Sequence, residues 1–250
     1  MIDVNSIKSL DDVGAIGYWP NKAVRIVRRY MEDDPAHDEG HLVRVVKNCL
    51  AIMEREATVD QDVVLVAAIL HDLVNVPKDR HDRNQASLYS ADKAIAELRV
   101  GEESDQSGFF TLVHHAIRAH SYSANITPET LAAEIVRDAD RLDSLGNVGL
   151  TRMWAVSGSM GRTLWHPTDP LAESRDLDEI KYGLDHFFVK LGKLHLTMLT
   201  KRGRHKAVYL TRFMAASLVD LLIEALDLPD TDLVCDDLYA RICNKIQLPQ

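Results

Sequence analysis

Gln61-Asp62-Val63-Val64-Leu65-Val66-Ala67-Ala68-Ile69-Leu70-His71-Asp72 is the stretch on which the reading of this chain turns. From Val63 to Leu70 every residue is apolar, so a helix here would be hydrophobic all round and therefore buried. The run is only about half the length needed to span a bilayer. Ala67 and Ala68 allow neighbouring helices to approach closely just before the run ends in His71–Asp72. Two polar groups are thus delivered into an apolar setting, where they need a partner. Adjacent residues on a regular helix point about 100° apart, so both reach one ion only where the helix ends or bends. Taken alone, the doublet is explained as simply by a C-terminal histidine favoured by the helix dipole beside a solvated aspartate.

Outward from this stretch, helical periodicity dominates. Helices are predicted over 21–31, 39–56, 61–73, 84–98, 109–119, 128–140, 178–199, 206–226 and 232–245. Thr127 is the expected cap and Pro128 the first-turn residue of the sixth. Gly146–Gly149 and Ser157–Gly161 read as breaks around a short helix, and Leu164–Asp176 as a long loop and candidate lid. No segment alternates with period two for long enough to propose a sheet. The expected fold is all-α: a single-domain helical bundle over 1–250, with core motifs at about 21–226 and a helical extension at about 227–250.

Composition narrows the function classes. The 250-residue chain carries a formal charge of −9 with its acidic residues dispersed, which argues against a nucleic-acid polymer as partner. A small anion remains possible, since a local basic pocket overrules net charge. Cys49, Cys235 and Cys243 are isolated, so neither a disulfide framework nor a thiolate zinc site is expected. Met1-Ile2-Asp3-Val4-Asn5 has neither a basic nor an apolar stretch, so a cytoplasmic protein without a signal peptide or membrane span is expected.

Other imidazoles and carboxylates also sit near predicted helix ends. His37 and His41 are four apart and share a face, as a metal pair or as capping groups beside Asp38 and Glu39. In Asp138-Ala139-Asp140-Arg141-Leu142-Asp143, Asp140 and Asp143 share a face, and two close carboxylates are costly unless a cation lies between them.

Together, His37-Asp38-Glu39-Gly40-His41-Leu42-Val43-Arg44-Val45, then Leu70-His71-Asp72, then Asp138 through Gly146 resemble the HD-domain superfamily of metal-dependent phosphohydrolases. They are most similar to a bacterial branch with an HDxxHxxRV opening and a DADRLDxLG third motif. The resemblance covers most of the chain and implies an HD-type bundle. It also implies a divalent ion (Mn, Mg, Co, Ni, Fe or Zn) held by His41, His71, Asp72 and Asp140, with His37 outside the ligand set. Asp72, His37 and Asp143 are the candidates for taking a proton from the attacking water. The branch has a lysine and an arginine at the positions of Lys78 and Arg83, which makes these candidate phosphate ligands.

His186, Lys190 and Lys193, spaced i, i+4 and i+7, form a basic stripe that is either a solvated helix face or, through Lys190, a substrate contact. His115 and His120 are read as substrate contacts. The rival reading gives them, or His81, to a second metal in a dinuclear iron oxygenase. A non-catalytic nucleotide-binding module is the remaining alternative. The leading expectation is a phosphohydrolase of a small phosphorylated metabolite, most plausibly a nucleotide, acting as a nucleotidase that releases phosphate from a monophosphate or, as the branch resemblance favours, releasing pyrophosphate from a nucleoside triphosphate. Tyr122, Trp154 and Trp165 are candidates for reading the base or sugar. A homo-oligomer is possible, because the apolar C-terminal helices would suit either the core or a partner chain.

Overall fold

The computed structural model describes residues 2–31, 39–56, 58–76 and 80–249. These contain eleven α-helices and no strand, as the all-α reading expects. The helices are α1 (Leu10–Gly14), α2 (Tyr18–Tyr30), α3 (Glu39–Met53), α4 (Gln61–Leu70), α5 (Ala86–Arg99) and α6 (Ser107–His120). They continue with α7 (Leu131–Asp143), α8 (Gly146–Ser159), α9 (Gly183–Val189), α10 (Lys201–Leu226) and α11 (Asp232–Ile246). The only β-type pairing among the described residues is an isolated bridge between Thr163 and Tyr182. No helix of the described residues is long and apolar enough to cross a membrane.

The chain divides into two compact units. The first comprises Met1–Leu142 and Leu199–Gly203. Its centre is α4, which packs against α2, α3 and α6. Asp60 starts this helix by accepting the N–H groups of Asp62 and Val63 at 3.0 and 3.3 Å. Val63 through Leu70 are all 0 % exposed. Full burial of each larger side chain in that run contributes roughly 1.5–3 kcal/mol, so the position of α4 is strongly fixed. His71 then caps the helix and emerges into the core.

Two boundaries differ from expectation for reasons visible in the structure. Helix α2 starts three residues early, because Pro20 lies in its first turn, where an N–H has no intrahelical partner to lose. Helix α7 starts three residues late. Thr130, not Thr127, supplies the cap, its hydroxyl accepting the Ala133 N–H at 3.2 Å, and Pro128 precedes the helix.

The second unit comprises Asp143–Met198 and Arg204–Gln250. The single helix expected over 178–199 is absent. Instead α9 ends at Val189, Lys190 leaves helical geometry, and Leu191–Thr197 forms a 3-10 turn. Gly192 is the reason it packs: a Cβ there would lie 2.6 Å from Ile246 Cγ2 and 3.1 Å from Phe187 Cζ. Phe187 and Phe188 are fully buried. The basic stripe His186, Lys190, Lys193 is therefore not one helical face, and His186 instead pairs with Glu179 at 2.5 Å. The 164–176 loop is tied down rather than loose. Arg175 donates to both oxygens of Asp185 at 2.6 and 2.8 Å, and Asp169 accepts from Glu173 and Ser174. Trp154 and Trp165 meet edge to face, 6.3 Å between centroids.

Candidate metal centre

Four elements of the first unit converge on one point: α3 brings His41, the end of α4 brings His71 and Asp72, α6 brings His120, and α7 brings Asp140. His71 Nδ1 lies 2.8 Å from the Ala68 carbonyl. A carbonyl only accepts, so Nδ1 carries the hydrogen and the Nε2 lone pair faces the cluster. His120 is held alike, Nδ1 donating to the Ile117 carbonyl at 2.6 Å. A histidine ligand is commonly pre-oriented by such a bond.

The facing atoms are close. His41 Nε2 and His71 Nε2 are 3.3 Å apart. Asp140 Oδ1 lies 3.8 Å from His41 Nε2 and 3.7 Å from His71 Nε2. Asp72 Oδ2 lies 3.4 Å from His71 Nε2, while Asp72 Oδ1 lies 3.4 Å from His120 Nε2. Ligand atoms about 2.1 Å from a shared ion stand about 3.0–3.4 Å apart, so the separations within each of two overlapping groups, His41–His71–Asp140 and His71–Asp72–His120, suit a divalent cation after small side-chain adjustment. Mixed imidazole and carboxylate donors fit Mn²⁺, Mg²⁺, Co²⁺, Ni²⁺, Fe²⁺ or Zn²⁺ without separating them.

Electrostatics favour positive charge at the centre. Burial works to raise the carboxyl pKa of Asp72 and of Asp140, but the imidazoles beside them outweigh it and hold both well below the usual range. Burial likewise works to lower the pKa of His71, yet Asp72 and Asp140 hold it well above its ordinary value. The histidine side chains are enclosed, at 2 % exposure for His41 and 0 % for His71, whereas Asp72 is 33 % and Asp140 25 % exposed. The cluster thus has an imidazole floor and a carboxylate mouth open to solvent.

From that mouth a cavity of ≈ 200 Å³ extends within the first unit. His41 and Asp72 form one part of its wall, and Arg83, Lys93, Tyr30 and Asn75 supply other polar groups over an apolar base that includes Leu42 and Ile69. Arg83 also donates to the Val76 carbonyl, which fixes its guanidinium at the wall.

His37 and Lys78 lie outside the described residues. His115 is not in the cluster, because its Nε2 accepts the Glu129 N–H at 2.9 Å. Asp143 belongs to the second unit, where Oδ2 takes Arg152 Nη1 at 2.8 Å. Lys190 also belongs to the second unit. Tyr122 lies under Arg141, 5.1 Å from ring centroid to guanidinium carbon. Lys93 and Tyr30 escaped the sequence reading because no motif marks them and they meet only where α2 and α5 pack.

Residues 39–145 match the family model of the HD domain, so this part of the chain is similar to the HD-domain superfamily. Its fold is that of HD-superfamily hydrolases. Over 183 residues, 73 % of this chain and 82 % of the relative, it is 28 % identical to Bacillus subtilis YpgQ. The crystal structure of YpgQ in complex with ADP superposes with a TM-score of 0.60 at 26 % identity, covering 86 % of this chain and 98 % of that one. An HD-superfamily hydrolase from Bacillus thuringiensis gives a TM-score of 0.60 at 27 % identity, covering 82 % and 95 %.

Proposed function

We propose that this protein is a divalent-metal-dependent phosphohydrolase of a nucleotide, with a nucleoside triphosphate cleaved to release pyrophosphate as the favoured reaction. The observation that carries the reading is two metal-spaced groups sharing His71, one with His41 and Asp140 and one with Asp72 and His120, of which His41 and Asp72 line a cavity with Arg83 and Lys93 in its wall. The ADP bound by YpgQ supports a nucleotide as ligand.

An ion held by His41, His71, Asp72 and Asp140 would acidify a water and draw charge from a phosphoryl oxygen. Around it, His41 and His71 would offer Nε2 from an enclosed floor once the ion displaces any proton held there. Asp72 and Asp140 stay ionised, and their exposed sides leave room for water and the phosphoryl group. Asp72 is proposed as a proton acceptor because it is the described candidate that lines the cavity. Arg83 would neutralise a phosphate at the mouth, and Lys78 is proposed as a second phosphate ligand.

Asp72 also turns one oxygen towards His71 and the other towards His120, which keeps a dinuclear version within the scope of test. A panel of nucleoside mono-, di- and triphosphates incubated with the Mn²⁺-, Co²⁺- or Ni²⁺-loaded chain decides the matter. Pyrophosphate or phosphate release, abolished by chelation, is the expected result; no product from any nucleotide sinks the reading.

A further inference from the structure

The wall of the cavity opposite the metal ligands holds an arrangement that the proposed hydrolysis does not itself require. Lys93, in the middle of α5, places Nζ 3.5 Å from the centroid of the Tyr30 ring at the end of α2. The obvious ion-pair partner, Glu97 one turn further along α5, is already engaged: Arg29 Nη1 holds it at 2.9 Å and the Tyr30 hydroxyl donates to its other oxygen. Lys93 has no ion pair among the described residues, while Tyr30 braces it against the cavity. Among the described residues, the metal-site residue Asp72 is the only carboxylate that lines this cavity with Arg83 and Lys93. Once a cation claims Asp72, the described wall of the cavity carries a surplus of positive charge in a chain of net charge −9. A surface lysine kept only for solubility has no need of a fixed perch inside a recess.

We propose that Lys93, positioned by Tyr30, is a specificity residue that binds an anionic group of the substrate beyond the phosphoryl group at the metal, so that the cavity selects molecules with two or more linked phosphates over monophosphates. This rests on the nucleotide phosphohydrolase reading above and adds to it the residue that distinguishes chain length. A charge-assisted hydrogen bond of this kind strengthens binding by about ten-fold or more, and only for a ligand long enough to reach it.

The test is calorimetric titration of the Mn²⁺-loaded full chain with ADP and with AMP, for wild type, K93M and K93R. Wild type should hold ADP more tightly than AMP. K93M should weaken ADP by about ten-fold or more and AMP by less than about three-fold, K93R should recover most of the loss, and metal content should stay at the wild-type level. K93M binding ADP as wild type does, K93M weakening both ligands equally, or wild type preferring AMP overturns the inference. Product release is measured separately. Lys93-dependent ADP binding without hydrolysis of any nucleotide would remove the hydrolase reading and leave the Lys93 assignment standing.

Discussion

Replacing Gly203 with alanine sets two effects against each other whose sizes follow from the structure. Position 203 lies in the first turn of α10, and alanine is favoured over glycine in helices by about 0.8–1 kcal/mol. Yet a Cβ at 203 would lie 2.5 Å from Asp138 Oδ2 and 2.6 Å from Thr200 Oγ1. Asp138 cannot yield cheaply. It is 0 % exposed, and its carboxylate accepts the Leu199 N–H at 3.0 Å and the Thr200 N–H and hydroxyl at 2.8 Å each.

Relieving the clash forfeits at least one charge-assisted bond, about 1.5–3 kcal/mol, on top of an overpacking cost of about 1–3 kcal/mol. G203A should therefore destabilise the protein by about 2–4 kcal/mol despite its better helix propensity. Urea denaturation of G203A, D138A and the double variant checks this. With Asp138 truncated the collision partner is gone, and G203A should become neutral or slightly stabilising in that background. A stabilising G203A in the wild-type background, or an equal cost in both, would refute the reasoning.

Two further outcomes are expected. H120A removes the imidazole 3.4 Å from Asp72 Oδ1 and should weaken metal binding by about ten- to a hundred-fold, whereas H115A, whose ring is committed to Glu129, should leave metal affinity unchanged in the same titration. The Asp169 carboxyl is lowered to about 2 by the Glu173 N–H first and, against a burial effect that raises it, by the N–H and hydroxyl of Ser174. A depressed carboxyl pKa stabilises the fold above its ordinary value of 3.8 and loses that contribution as pH falls through about 2. Limited proteolysis with an acid-active protease should accordingly show the 164–176 loop opening between these pH values in wild type but already open in D169N.

The sequence made α4 legible, because an unbroken apolar run is a local signal, whereas the grouping of His41 and Asp140 with His71 is reached only through the family resemblance of the motifs. Two local signals misled. Leu184, Phe187, Phe188, Leu191 and Leu194 have helical spacing, but the close approach of Gly192 to Ile246 ends α9 and is set by a residue more than fifty positions away. Asp143 looked like a partner of Asp140 on one helical face, and nothing near it in sequence announced its ion pair with Arg152. The Lys93–Tyr30 contact was out of reach for the same reason: lysine and tyrosine are unremarkable until the packing of α2 against α5 brings them to one wall.

The central claim is that His41, His71, Asp72 and Asp140 together hold one divalent ion. Metal content by mass spectrometry, with Mn²⁺ titration of wild type and of H41A, H71A, D72A and D140A, tests it most directly, circular dichroism confirming that each variant is folded. The account predicts one ion per wild-type chain and affinity at least about a hundred-fold weaker in every folded variant. A wild-type chain that binds no ion, or any of the four folded variants binding Mn²⁺ as wild type does, would contradict it.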